Sequence, residues 1–248
     1  MGKQSKISII TWNVCFITRT YPEIRWNEIL DICIKYKPNF ILFQEVSKRF
    51  MKVFRKRTDY IDYNISDNSL NKKRYYWEMI LEKKTNSSTN NLKLTSKNQR
   101  CFLSIHNQIN FKKHITIGTF HLNSDKNGSK ERSFQMKEIE SQIKYKNPVI
   151  LAGDFNFMNE KEANLGLSKN FPKFKYIETE NTFSTITNKL AKYNIQNYFN
   201  GNPFEGRLDR ILLYNMTYQE IKVIGKDYCK EIDVEPSDHY GIYMISYF

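Results

Sequence analysis

The chain is poor in the residues that build covalent or soft-metal frameworks. It has four cysteines in 248 residues, Cys15, Cys33, Cys101 and Cys229, and no pair is spaced as CxxC. Thiols so scattered fit neither a disulfide scaffold nor a zinc site, and are read as reduced side chains of an intracellular protein, nuclear or cytoplasmic. Nowhere does an apolar run reach the ~20 residues that cross a bilayer as a helix. The start, "MGKQSKISII", lacks a signal-peptide pattern, so neither secretion nor a membrane partner is expected. Gly2 is followed by Lys6 where a myristoylation signal carries Ser or Thr, and residues 1–6 are read as a flexible N-terminus. Asn86-Ser87-Ser88 fits a glycosylation acceptor, read as chance in a chain without a secretory signal. There is no internal repeat, no Pro/Gly-rich linker and no shift of charge along the chain. A single domain over 1–248 follows.

What is present is apolar and basic. Forty per cent apolar and 15% aromatic content exclude disorder and allow a substantial core. Against 26 acidic residues stand 39 basic ones, a net +13 that favours a polyanionic partner, nucleic acid first. The plain alternative is a solvated lysine-rich surface, because Lys, Asn and Ile recur throughout.

Short β-branched and aromatic runs recur at 7–12, 40–43, 75–81, 101–106, 115–120, 149–152, 210–214 and 241–248. Each has strand length, and most are followed by polar or glycine-containing turns. Two stretches have helical spacing: 25–38, with Trp26, Ile29, Leu30 and Cys33 on one side and Pro38 closing the pattern, and 131–145, with Met136, Ile139 and Ile143. The polar segment 83–99 is read as a loop or loose hairpin. Many strands with a helix after some of them predict two packed sheets with outer helices.

Polar clusters sit where the apolar runs begin or end: Trp12-Asn13, Gln44-Glu45, His121 to Ser124, Gly153 to Asn156, Arg207 to Arg210, and Pro236 to Gly241. One Asp-x-Asn is more often a turn than a site, and a lone histidine is ordinarily structural. Six clusters of complementary type in one chain are harder to dismiss. An Asn carbonyl and a Glu carboxylate are hard oxygen donors suited to Mg²⁺. An Asp beside an amide can hold and deprotonate water. Histidines and Asn can donate to phosphate oxygens, and a second Asp can keep one His charged. Together these groups describe hydrolysis of a phosphate ester.

In order and spacing, "TWN" (11–13), "QE" (44–45), "HL" (121–122), "GDFN" (153–156), "RLDR" (207–210) and "SDH" (237–239) resemble the endonuclease/exonuclease/phosphatase superfamily over almost the whole chain. The resemblance implies a four-layered α/β sandwich, with two packed, mainly antiparallel sheets flanked by helices. It implies Mg²⁺, with Mn²⁺ as a substitute, on Asn13 and Glu45. Asp154 would orient the attacking water, Asn156 would stabilise the phosphate, and His121 and His239 would contact it. Asp209 would pair with His239, and Asp238 would support the network of metal and water. Tyr240-Gly241 after the histidine is similar to the tyrosyl-DNA phosphodiesterase 2 branch, as are "RLDRILL", "HLNS", "ERSFQMKEI" and "YYWEMILEKK". That branch implies substrate contacts at Arg100, Ser124, Phe183, Arg207 and Tyr240. It also implies cleavage of a 5′-phosphotyrosyl bond between a peptide remnant and DNA, or RNA, with no obligate protein partner. Val14-Cys15-Phe16 and Phe157-Met158 depart from its pattern, where it has an acidic-glycine turn and a basic residue. The alternatives are another nuclease of the superfamily, an abasic-site endonuclease or a deadenylase, and after these a lipid or inositol phosphatase. A catalytically inert nucleic-acid-binding module is a reading of a different class, opposed by the filled set of site positions.

Overall fold

Val149–Asp154 shows why the chain needs four layers. Ile150 and Ala152 face one side and Val149 and Leu151 the other, and all four are fully buried. A strand apolar on both faces must be covered on both. The computed structural model describes residues 5–68, 74–83, 87–96, 99–110, 113–195 and 198–248, with backbone alone at 109, 110 and 113. The first half runs β1 (Lys6–Asn13), α1 (Pro22–Tyr36), β2 (Phe40–Ser47), α2 (Lys48–Phe54), β3 (Tyr63–Asp67), β4 (Tyr76–Lys83), β5 (Ser87–Lys93) and β6 (Cys101–Asn110). Then follow β7 (Lys113–His121), α3 (Ser129–Glu140), β8 (Val149–Asp154), α4 (Glu160–Asn170), β9 (Lys175–Tyr176), β10 (Phe183–Ser184) and α5 (Lys189–Ile195). The chain ends with β11 (Glu205–Gly206), β12 (Asp209–Tyr214), β13 (Thr217–Ile224) and β14 (Gly241–Tyr247).

Two six-stranded sheets result, ordered β13-β14-β1-β2-β4-β3 and β5-β6-β7-β8-β12-β9, with β10 and β11 as a separate pair. The expected sandwich is the one found. Ile9, Leu42, Ile117, Ile150 and Ile242 fill the space between the sheets. Trp12, Trp26, Phe43 and Phe50 pack the first sheet against its helices, and Phe120, Met136, Phe155 and Leu167 do so on the second.

Within each sheet one central pair is parallel, β1 with β2 and β7 with β8. Parallel neighbours need a crossover, supplied by α1 and α3, and their C-terminal ends then lie side by side. Asn13 and Glu45 thus meet at one edge of the first sheet, and His121 and Asp154 at the same edge of the second. Antiparallel β12 and β14 start at that edge, placing Asp209 opposite Asp154 and His239 just before β14.

Several elements carry no sequence signal. Within 83–99, Ser87–Lys93 forms β5, a mostly polar edge strand that makes an antiparallel hairpin with β6 through its backbone and through Asn107 Nδ2, which donates to Ser87 Oγ at 3.1 Å, and it shows no strong apolar alternation. At the start, Ser5 N–H donates to the Phe248 carbonyl at 3.0 Å and Lys6 opens β1. Residues 1–4, with Gly2, and Asn86 lie outside the described residues. Gly153 has no left-handed backbone, so a tight turn is not its role. A Cβ built there would lie 2.2 Å from the Phe120 carbonyl oxygen, because β7 and β8 approach closely at this position. Gly153→Ala is therefore expected to lower the melting temperature by several degrees, as ~1–3 kcal/mol of overpacking would. Thermal unfolding followed by circular dichroism checks this.

Candidate active site

Glu45 owes its position to an irregularity. The pairing of β2 with β4 shifts register between Phe43 and Val46, and Glu45 sits in that bulge at φ 61°. Gln44 thereby turns inward, donating to Thr11 Oγ1 of the neighbouring strand at 3.1 Å and, across to the second sheet, to Thr119 Oγ1 at 2.8 Å, while Val46 packs outward. The bulge frees the Glu45 carboxylate to point along the strand end. A non-glycine residue held left-handed costs ~1–3 kcal/mol and is kept only where its surroundings require it. Here the Phe16 N–H donates to Glu45 Oε2 at 3.0 Å. Asn156 is likewise left-handed, at φ 52°, a conformation Asn tolerates.

Asp154 is the hub. Its Oδ1 accepts from the Asn156 N–H at 2.9 Å, and its Oδ2 from Asn13 Nδ2 at 3.1 Å. The same Oδ2 lies 3.3 Å from His121 Nε2 and 3.8 Å from His239 Nε2. Burial pushes the Asp154 carboxyl up to about 7 against the opposing pull of His239, with Asp209 and Glu45 adding repulsion. For His239, burial opposes charge, but Asp209 and Asp154 outweigh it and hold the pKa well above the ordinary value. Its Nδ1 is 2.8 Å from Asp209 Oδ2. At His121 the pKa is lowered, by burial first and then by Arg100 and His239. Arg100 Nη1 lies 2.8 Å from His121 Nδ1, and an arginine only donates. That bond leaves Nε2 as the protonated nitrogen, facing Asp154. The two histidines thus differ: His239 is a cation and His121 a neutral donor.

Asp238 Oδ2 accepts from Asn194 Nδ2 at 3.0 Å. Burial raises the Glu45 carboxyl, and Asp238 raises it further. Neither carboxylate has a Lys or Arg ion pair among the described residues. Hard oxygen donors crowded together with no lysine or arginine paired to them among the described residues suit Mg²⁺ or Mn²⁺, and no thiolate takes part. Asn13 Oδ1 accepts from the Cys15 N–H at 3.0 Å and keeps a second lone pair. The residues present therefore fit a divalent cation. Asp154, Asp209 and His239 also bring three possible ligand atoms within 4.8 Å of one another, but the bond between His239 and Asp209 makes that group an ion pair first. Filling the site with Mg²⁺ is expected to raise the melting temperature over that in chelator, and Glu45→Gln to remove most of that rise, as differential scanning calorimetry would measure.

Asn13, Glu45, His121, Asp154, Asn156, Asp209, Asp238 and His239 therefore converge. The five residues expected at substrate are placed differently. Arg100, Phe183 and Tyr240 are buried. Arg100 braces His121 and also donates to Tyr76 and Ser124 Oγ. Phe183 sits edge-on to the His239 ring at 5.0 Å, and the Tyr240 hydroxyl lies 3.3 Å from Thr187 Oγ1. Arg207 grips Glu160 with two bonds, at 3.0 and 2.7 Å. Ser124 is partly exposed, as Arg207 is, and its hydroxyl accepts from Arg100 beside His121. In this structure Arg100 and Phe183 each touch one of the two histidines.

Four supporting residues were not singled out from sequence. Ser237 Oγ donates to the Asn13 carbonyl at 2.6 Å and accepts the His239 N–H at 3.3 Å. Trp12 Nε1 donates to the His239 carbonyl, Thr182 Oγ1 accepts the Asp209 N–H, and Asn194 holds Asp238. Ser237 and Trp12 stand inside motifs, whereas Thr182 and Asn194 arrive from distant loops with no local signal.

A model of the Endonuclease/Exonuclease/phosphatase family matches residues 10–239. Tyrosyl-DNA phosphodiesterase 2 (TDP2) of Danio rerio is 27% identical over 176 residues, 66% of this chain and 45% of that protein, so the match spans less than half of the relative. A crystal structure of D. rerio TDP2 complexed with single strand DNA product superposes with a TM-score of 0.83 at 22% identity, covering 98% of this chain and 99% of that one. TDP2 from C. elegans gives 0.79 at 20% identity, over 98% and 75% of the two chains. The human Nocturnin catalytic domain with bound sulfate anion gives 0.69 at 14%, over 99% and 98%. Among the described residues no helix is long and apolar enough to cross a membrane.

Proposed function

Because the chain belongs to the endonuclease/exonuclease/phosphatase family, we propose that it is a divalent-metal-dependent phosphodiesterase that hydrolyses 5′-phosphotyrosyl bonds between a peptide remnant and DNA or RNA. The observation that carries the hydrolytic part is the meeting of three groups at one atom: His121 Nε2 and His239 Nε2 both approach Asp154 Oδ2. The tyrosyl part is supported by the similarity to D. rerio tyrosyl-DNA phosphodiesterase 2 and by Tyr240-Gly241 after the histidine.

In this reading Asp154 Oδ2 accepts the proton of the attacking water, while the Asn156 N–H on Oδ1 keeps the carboxylate aimed. A base titrating near neutrality suits that transfer at pH 7. The new O–P bond forms as the bond from phosphorus to the tyrosine oxygen breaks, and the electron pair leaves on the phenolate. A phenol with pKa near ~10 is a good enough leaving group to need no strong acid. His239, held as a cation by Asp209, and His121, donating through Nε2, stabilise the charge on the non-bridging oxygens. A divalent cation on Glu45, with Asn13 and Asp238 beside it, supplies Lewis-acid neutralisation of the phosphate when bound.

The test is a panel of 5′-tyrosyl DNA, 5′-tyrosyl RNA, 3′-tyrosyl DNA, abasic duplex and poly(A), each with Mg²⁺. Free 5′-phosphate from the 5′-tyrosyl substrates is the expected result. Cleavage confined to abasic duplex or poly(A) would overturn the tyrosyl assignment and leave another nuclease of the family.

A further inference from the structure

Beside the carboxylates lies a cavity of about 740 Å³ whose lining is one-sided in charge. Arg19, Lys48, Arg49 and Arg74 line it, together with Phe16 and Tyr75, and no acidic side chain among the described residues does. Arg19, Lys48 and Arg49 are exposed and have no ion-pair partner among the described residues. Arg74 is buried, with Nη1 3.6 Å from Glu78 Oε2, and its Nε and Nη2 have no hydrogen-bond partner among the described residues.

The choice of cation runs against the chain's own bias. Ten of the 39 basic residues are arginine and the rest lysine, yet three of the four cations here are arginine. A lysine-rich solvated face would show the reverse. Arginine presents a planar fork that matches a carboxylate or phosphate through two bonds, so the lining is suited to anions rather than only to solvent.

The topology indicates which end of the substrate reaches this cavity. In-line displacement places the attacking water and the leaving oxygen on opposite sides of phosphorus. The residue read as holding the water, Asp154, belongs to the second sheet. The cavity is built by the segment after β1, the end of β2 and start of α2, and the two residues before β4, all adjoining the first sheet, with Asn194 of α5. It adjoins the site through Phe16, whose N–H binds Glu45, and through Asn194, which binds Asp238.

We infer that this cavity receives the polypeptide departing with the tyrosine, and that it selects segments carrying carboxylates next to that tyrosine. The inference rests on the function proposed above for the direction of the leaving group, but its binding preference can be measured without catalysis. Exposed forks that each gain a charged partner, at low salt and acting together, correspond to a preference of about 5- to 30-fold.

Two measurements decide it. In the first, fluorescein-labelled peptides with a central tyrosine flanked by Glu, Gln or Lys are titrated into the full chain at low salt and followed by anisotropy. The Glu peptide should bind about 5- to 30-fold more tightly than the Gln peptide, with the Lys peptide weakest. The double variant R19A/R49A should abolish the difference, and Arg49→Glu should reverse it. In the second, 5′-tyrosyl oligonucleotides carrying the same peptides are compared by kcat/KM. The variants should change the ranking while leaving cleavage of the oligonucleotide with a single tyrosine unaltered. Equal binding of the Glu and Gln peptides overturns the inference, as does a loss of affinity for an unmodified oligonucleotide in R19A/R49A, which would make the cavity a nucleic-acid groove. If the Glu peptide is preferred but no 5′-tyrosyl bond is cut, the proposed function fails and the anion-selective cavity stands.

Discussion

Replacing Asp154 by Asn is expected to lower kcat on a 5′-tyrosyl oligonucleotide by ~10²–10⁴-fold, the range a positioned general base contributes. The same variant is expected to melt, without metal, at an equal or higher temperature than the parent. Asp154 is buried among Asp209, Glu45 and their neighbours, and its carboxyl is raised to about 7. The sign follows from that direction. A carboxyl raised above its unfolded value of ~4 destabilises the fold once ionised. That cost is absent below the ordinary carboxylate range and grows as pH rises to about 7. The gain in melting temperature of Asp154→Asn should therefore be larger at pH 7.5 than at pH 4. A nucleic-acid-binding module would keep its affinity in this variant and show no turnover to lose. Steady-state kinetics and calorimetry at the two pH values check both parts, and a variant that keeps near-parental kcat would remove Asp154 from the role of base.

Asp209→Asn should be nearly as damaging, by a different route. The side chain keeps its size and its place opposite Asp154 in the strand register, so the fold survives. What is lost is the charge that, with Asp154, overcomes the burial penalty on His239. The ring then becomes neutral near pH 7 and no longer stabilises phosphate charge, lowering kcat by about 10²–10³-fold. For a histidine whose pKa is raised by its partner, the stabilisation is complete below the unfolded value of ~6.5 and is lost as pH rises through the folded value. The variant should accordingly be less stable than the parent at neutral pH, with the gap closing at high pH. Imidazole chemical shifts followed by NMR should show the His239 titration displaced to lower pH. An unmoved titration would show that Asp209 does not hold the charge.

Much of the core was legible because the chain is apolar in runs. Strands such as Ile7 to Trp12 and Val149 to Ala152 carry apolar side chains on both faces, a pattern that needs cover on two sides and so encodes a layered sandwich. The edge strand Ser87–Lys93 was legible only as one side of a loose hairpin and not as a strand of the second sheet, because a mostly polar edge can be held largely by backbone bonds and so lacks apolar alternation. Phe155, between two polar residues in the sequence, packs inward at 4.7 Å from Phe120 and 5.4 Å from Phe157, a direction that only packing decides. Thr182 and Asn194 had no signal at all, since each acts on a residue dozens of positions away.

By itself the sequence determined the inventory: hard oxygen donors, two histidines and paired acids at strand ends, in an order shared with a known family. Those are matters of residue type and spacing, and they survive any change in surroundings. Only the tertiary structure decided how each group behaves. Arg100, just before β6, and Asp209, at the start of β12, approach the two histidines separately, so one ring is a neutral donor and the other a cation. The bulge at Glu45 and the close approach of β7 and β8 at Gly153 set which way the carboxylates face. Protonation, direction and burial depend on what lies within a few ångströms, and that distance is set by packing between segments far apart in the chain.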